Sequence, residues 1–227
     1  MRPKEPKNTG RVGAFFDLDR TLIGVNSGFL YVLYERRHGR IGKRQFLRAT
    51  FWLGLYHLAM IDMERAFGEA VRHYRGVPSE VLFERTREFF EEEVKATLQP
   101  GALVALSEHR DEGHPLILLT ASSPYMSRLA CETWELDDWL SNDFPTDDAD
   151  QLLGTFEPPM CYGEGKVVRA QAWAEENDIS LDDSFFYSDS YSDLPMLERV
   201  GHPRIVNPDP RLRREARRRD WPILHWG

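Results

Sequence analysis

Apolar and polar positions along this chain fall into three successive textures. The first is a short apolar run, Val12 to Phe16, which ends on Asp17 and Asp19. It reads as a buried strand, and Gly24 soon after predicts a turn. The second texture, from Ser27 to about Ala96, has no strand alternation. Phe29, Leu30, Leu33 and Tyr34 recur at helical spacing, and so do Ala66, Phe67, Ala70, Val71 and Tyr74. Between them Phe46, Leu47, Phe51, Leu55 and Leu58 predict a further helix, apolar nearly all round. Gly76-Val77-Pro78-Ser79 breaks the pattern, with Ser79 placed to cap a helix running to Phe90. This block reads as about four helices.

The third texture begins at Pro100-Gly101. Ala102 to His109 predicts a helix, and Leu116 to Leu119 a buried parallel strand ending on Thr120-Ala121-Ser122-Ser123. A helix follows from Pro124 to Trp134. Asn142 to Phe144 reads as a short strand, and Leu152 to Tyr162 as a hairpin. Lys166 to Asn177 predicts a helix and Phe185 to Tyr187 a strand ending on Ser188-Asp189. Leu194 to Val200 is helical, Ile205-Val206 a strand, and Arg211 to Arg219 a basic helix. Such alternation predicts a parallel sheet with helices on both faces, a Rossmann-like α/β core. Because the helical block leaves from the end of the first strand, it is expected above the carboxyl edge of that sheet.

Length and composition narrow the function. At 227 residues, with 41% hydrophobic and 29% charged residues, the chain can bury a sizeable core. A net charge of −8 argues against a nucleic-acid-binding role. The only cysteines are Cys131 and Cys161, and there is no C-x-x-C. The Pro- and Lys-rich segment Met1–Gly10 has no apolar h-region. A reduced, cytoplasmic setting without a membrane span is therefore expected. The seven histidines form no H-E-x-x-H or similar pattern and read as surface or core residues.

Four predicted element ends carry chemistry: Asp17 with Asp19, Thr120, Lys166, and Asp189 with Asp193. Parallel strands put their carboxyl ends on one edge, where ligands bind in open α/β sheets. Taken singly each has a plain reading. Asp17 and Asp19 could cap a turn, Thr120 could be a strand-end residue, and Lys166 a solvated helix start where the helix dipole disfavours a cation. Taken together, several acids suit Mg²⁺, and a hydroxyl with a lysine suits phosphoryl oxygens.

These residues carry a family resemblance. Asp17-Leu18-Asp19-Arg20-Thr21 resembles the D-x-D-x-T signature of the haloacid-dehalogenase-like (HAD) superfamily. Leu116–Thr120, Lys166 and Asp189-Ser190-Tyr191-Ser192-Asp193 resemble its second, third and fourth motifs, in order. The helical block looks like the inserted C1-type cap of the subgroup that includes phosphoserine phosphatase (subfamily IB). Asn207-Pro208-Asp209-Pro210 looks like the tail of its bacterial members. The resemblance implies a HAD core over residues 12–25 and 95–227 and a cap over 26–94.

It further implies a Mg²⁺-dependent phosphomonoesterase for a small metabolite, phosphoserine- or histidinol-phosphate-like, acting as a monomer or homodimer. Asp17 would attack phosphorus to form an aspartyl-phosphate, and Asp19 would act as acid and then base. Thr120, the Ala121 amide and Lys166 would bind the transferring oxygens. Mg²⁺ would be held by Asp17, the Asp19 carbonyl and Asp189, with Asp193 holding metal-bound water or Lys166. A phosphotransferase or mutase, and a non-catalytic binding protein on the same scaffold, remain the alternatives. Glu35, Arg36, Arg37, Arg44 and Arg48 are the cap residues available to select a substrate, and Arg20 stands where many members have a small residue.

Overall fold

A computed structural model describes residues 10–43, 46–47 and 63–227. Its six strands form one sheet with every neighbouring pair parallel. They are β1 (Ala14–Phe16), β2 (Leu116–Leu119), β3 (Asp138–Leu140), β4 (Phe185–Ser188), β5 (His202–Val206) and β6 (Ile223–Leu224), in the order β3-β2-β1-β4-β5-β6. The order reverses at β1, so the loops after β1, β2 and β4 open onto one crevice.

Register explains why the central strands are apolar throughout. Phe15 pairs with Ile117 on one side and Phe186 on the other, and all three are fully buried on one face of the sheet. Ala14, Phe16, Leu116 and Leu118 point to the opposite face, also fully or almost fully buried. A strand covered on both faces has no polar alternation. Truncating one of these phenylalanines to alanine would cost about 3–5 kcal/mol.

Around the sheet lie α4 (Pro100–Asp111), α5 (Pro124–Trp134), α6 (Glu164–Glu176), α7 (Leu194–Arg199) and α8 (Pro210–Arg218). Before them in the chain come α1 (Ser27–Arg37), α2 (Met63–Val71) and α3 (Ser79–Phe89), the last continued by a wider helical turn at Phe90–Val94. Side-chain caps start several of these helices. Asn26 accepts from Phe29 N on α1, Ser123 from Met126 N on α5, and Asp209 from Arg211 N and Leu212 N on α8.

The helices of the 26–94 stretch share the sheet's hydrophobic core: Tyr34, Phe89, Phe90 and Val94 cluster with Phe16 and Leu118. The turn between α2 and α3 is hydrogen-bonded to the loop around residue 151, through Gly76 N to Leu152 O, Leu152 N to Val77 O and Ser79 N to Asp150 O. Aromatic rings continue that contact: Phe67 meets Phe144 and Phe156, and Phe83 meets Tyr125.

Several expectations are corrected. The edge strand is Asp138–Leu140, not Asn142–Phe144, because its partner β2 ends at Leu119 and the Asn142 backbone amide meets the loop beyond it, on Ser122 O. Residues 152–162 form no hairpin; Leu152 makes an isolated bridge to Thr146. Ser79 is the first residue of α3 rather than its cap, and its hydroxyl donates to Asp150 instead. Of the helix expected over Phe46–Leu58 only Phe46 and Leu47 are described, both helical. Arg44, Arg48 and the Phe51–Met60 stretch lie outside the described residues. No helix among those described is long and apolar enough to cross a membrane.

Candidate active site

The site is built where the β1, β2 and β4 loops meet the start of α6. Asp17 follows β1 directly, with its amide bonded to Tyr187 O on β4 at 3.0 Å. The chain then folds back on itself, with Leu22 N on Asp17 O at 3.3 Å, Ile23 N on Leu18 O at 3.0 Å and Arg20 N on Val25 O at 3.0 Å. Arg20 sits at the tip with φ +58°, in the left-handed region that a non-glycine residue enters only at some energetic cost. Gln99 clamps the loop from below: its side-chain amide donates to Arg20 O at 3.1 Å and Thr21 O at 2.6 Å, and its Oε1 accepts from Asn207.

Lys166 ties the acids together. Its ammonium donates to Asp17 Oδ1 at 2.7 Å and to Asp193 Oδ2 at 2.8 Å, and all three residues are buried. Ser188 Oγ donates to the same Asp193 oxygen at 2.7 Å. Of the two partners expected for Asp193, Lys166 is therefore the one seen. Asp19 accepts the Ser27 amide at 2.8 Å, so the first residue of α1 rests on the second acid of the pair.

Thr120 is buried at the end of β2, where its Oγ1 accepts from Ser122 N at 3.2 Å and keeps its own proton to donate. The Ala121 carbonyl accepts from Asn142 Nδ2, while its amide meets no acceptor among the described residues. Asp189 ends β4, 7% exposed, and no donor among the described residues bonds to its carboxylate.

Electrostatics follow from four carboxylates around one ammonium. Burial pushes Asp17 up to about 7, against the pull of Lys166 and with a further push from Asp193. Burial, then Asp17 and Asp193, push Asp189 up to about 8. Asp19 is raised by burial, its bonds to Ser27 working the other way. Burial alone would lower Lys166, but Asp17 and Asp193 outweigh it and hold it charged. Acids this crowded need a further positive charge to ionise together. Their donors are all oxygens, and the unbonded Asp189 carboxylate has lone pairs to give. That set fits a hard divalent cation such as Mg²⁺.

Sequence reasoning passed over the residues that hold this arrangement. Asp209 caps α8 and also accepts from Tyr191 N at 2.6 Å, while its own amide donates to Asp189 O at 2.9 Å. Asn142 joins the loop after Thr120 to Cys161, just ahead of Lys166. Asp-Pro at residues 209–210 is a recognisable helix start; Gln99 and Asn142 carry no local signal. Among the cap residues considered for substrate choice, Glu35 is buried against Arg40, Arg37 bonds Glu93, and Arg36 bonds Ile41 O.

Comparison with known proteins identifies the family and the fold. The chain is 25% identical over 218 residues to a histidinol-phosphatase of Neisseria meningitidis, covering 94% of this chain and 98% of the other. A crystal structure of a Bordetella pertussis protein of unknown function matches 95% of this chain and 99% of that one, with TM-score 0.86 and 28% identity. A phosphoserine phosphatase solved as a phospho-aspartyl intermediate analogue shares the fold, with TM-score 0.71 and 16% identity over 96% of this chain and 95% of the other. The family model for haloacid dehalogenase-like hydrolases matches residues 14–198. Those residues carry every group gathered at the crevice, and the chain belongs to that family.

Proposed function

We propose that this chain is a Mg²⁺-dependent phosphomonoesterase acting on a small metabolite of the phosphoserine or histidinol-phosphate kind. The observation that carries the reading is the buried Asp17–Lys166–Asp193 chain beside an Asp189 carboxylate that no donor among the described residues bonds. A structural ion pair would not need the extra acid.

In this reading an Asp17 oxygen bonds to phosphorus as the ester oxygen leaves, giving an aspartyl-phosphate. Asp19, whose pKa is raised, hands its proton to the departing oxygen. It then takes a proton from the water that splits the acyl-phosphate. Lys166, the Thr120 hydroxyl and the Ala121 amide hold the oxygens of the transferring group. Asp17, Asp189 and the Asp19 carbonyl would hold Mg²⁺, whose charge lets an anionic carboxylate approach a phosphate dianion.

The described residues of the 26–94 stretch form a cap over this crevice, and the cap chooses the substrate. Support comes from the Ser27 amide on Asp19 and from the packing of Phe83 and Phe89 beside α5 and β1. Water excluded by such a cover protects the intermediate while the leaving group is still bound.

Phosphate release across a panel that includes phosphoserine, histidinol phosphate and sugar phosphates, with and without Mg²⁺, tests the reading. Wild type should release phosphate from at least one ester, while Asp17→Asn should lose about 1,000-fold or more in kcat with an unchanged fold. Near-normal release by that variant, or no release from any ester by wild type, would overturn it.

A further inference from the structure

A second cluster of ligating side chains lies apart from the acids. His109, near the end of α4, Glu112 and His114 each bring one ligand atom, a ring nitrogen or a carboxylate oxygen, within 4.8 Å of the others. His109 Nδ1 is 2.9 Å from His114 Nδ1, and Glu112 Oε2 is 3.3 Å from that same His114 nitrogen. Three lone-pair atoms thus converge on one small volume.

The outer nitrogen of His109 fixes what its inner nitrogen does. Its Nε2 is 2.9 Å from the Tyr187 hydroxyl. With Nε2–H donating to Tyr187, His109 Nδ1 is left as an acceptor. The contact between the two Nδ1 atoms then needs a proton on His114 Nδ1, shared towards Glu112. In that tautomer a single proton lies between the two imidazoles, with the Glu112 carboxylate beside it.

We propose that these three residues form a divalent metal site of the zinc class, in which the cation replaces that shared proton. Two imidazoles and one carboxylate are a zinc ligand set; Mg²⁺, which prefers oxygen, would be bound poorly. Ligand atoms about 2.1 Å from a tetrahedral ion lie about 3.4 Å apart. The Glu112–His114 separation already meets that spacing, the two imidazoles need to part by about 0.5 Å, and the third pair, His109–Glu112, lies within 4.8 Å and closes by at most about 1.4 Å. Gly113 makes the turn possible, with φ +73° between the two ligands it separates.

Packing supplies the rigidity that a site needs. The His109 ring is held edge-on against Phe185 at 4.6 Å and Phe16 at 6.0 Å, and is 5% exposed. Glu112 and His114 reach solvent, which gives an ion its entry path. Arg204, which bears on both His109 and Tyr187, opposes the cation and moderates its affinity. The bound ion would pin the end of α4 to the turn that leads into β2, a stabilising role independent of the phosphatase chemistry. None of its ligands belongs to the acid cluster.

Zinc titration of the whole chain in excess Mg²⁺, with the variants as the control for zinc bound elsewhere, tests the proposal. Wild type should bind one Zn²⁺ that Glu112→Ala and His114→Ala each bind about tenfold or more weakly. Zn²⁺ should also raise the melting temperature of wild type but not of these variants. Glu112 is exposed, so its variant should fold even if a histidine variant does not. In ¹⁵N-histidine spectra both Nδ1 resonances of His109 and His114 should shift on adding Zn²⁺. Equal zinc binding by wild type and Glu112→Ala, or unmoved Nδ1 resonances, would overturn the assignment.

Discussion

Gly165 has no room for a side chain, because a Cβ there would lie 1.8 Å from the Met160 carbonyl oxygen. The neighbour is backbone, so it cannot swing aside as a side chain would. Gly165 sits one residue before Lys166, and this contact fixes where α6 starts. Gly165→Ala should displace Lys166 from Asp17 and Asp193. We expect kcat to fall about 10- to 100-fold, with a stability loss of about 1–3 kcal/mol. Steady-state kinetics with a denaturant melt would check both; unchanged kinetics would mean that the helix start does not position Lys166.

Metal and pH should be linked at the acid cluster. Asp17 and Asp189 are raised from 3.8 to about 7 and about 8, so the metal-free fold favours their protonated forms. Stability from these two groups is present below pH 4 and is lost as the pH climbs through 7 and 8. Mg²⁺ binds only the ionised acids, so it should raise the melting temperature far more at pH 8 than at pH 5. In Asp189→Asn that difference should shrink, and the Mg²⁺ needed for half-maximal activity should rise about tenfold or more. A Mg²⁺ shift of equal size at both pH values would contradict the linkage.

His109 should contribute in the opposite sense. Burial, then the neighbouring His114 ring and the Arg204 guanidinium, hold it down to about 4 from an ordinary 6.5. A depressed histidine contributes stability that is present above pH 6.5 and is lost as the pH falls towards 4. The loss should reach at most about 3 kcal/mol. In chelator, His109→Gln should show a shallower decline than wild type over that window. Parallel stability curves for the two proteins would show that His109 is not the group responsible.

Asp209 should matter to the site from a distance. It caps α8 and binds the loop that bears Asp189. Asp209→Ala should cost about 1–2 kcal/mol in stability and raise the Mg²⁺ requirement. Asp209→Asn, which keeps an acceptor, should recover most of both. A variant that loses stability yet keeps the wild-type Mg²⁺ titration would confine Asp209 to the helix cap.

What was legible in the sequence was whatever burial on two faces writes into residue type. Leu116–Leu119 and Pro124–Trp134 appear with the bounds that the pattern predicts, because a covered strand is an unbroken apolar run and a proline after Ser123 marks a helix start. The edge strand Asp138–Leu140 was not legible, since a half-buried edge tolerates an aspartate. At the site, Asp17, Asp19, Thr120 and Asp189 announced themselves by residue type at or just beyond strand ends, and Lys166 at a helix start. Gln99 did not: it reaches Arg20 and Thr21 across about 80 residues, and no local pattern encodes that. His109 and His114 were read as ordinary histidines because five residues of separation matched no ligand pattern; only the turn at Gly113 makes them neighbours.

The position of β1 in the middle of the sheet has a consequence for how the molecule breathes. Its amides are bonded on both sides by β2 and β4, and Phe15 and Phe16 are sealed under both layers of helices. Peripheral strands and outer helices can therefore open and close without exposing the backbone on which Asp17 stands. Amide protons of Phe15 and Phe16 should exchange with solvent deuterium only when the whole core opens, while those of β3 and β6 exchange much sooner. A carboxylate mounted there stays in register through every lesser fluctuation of the fold.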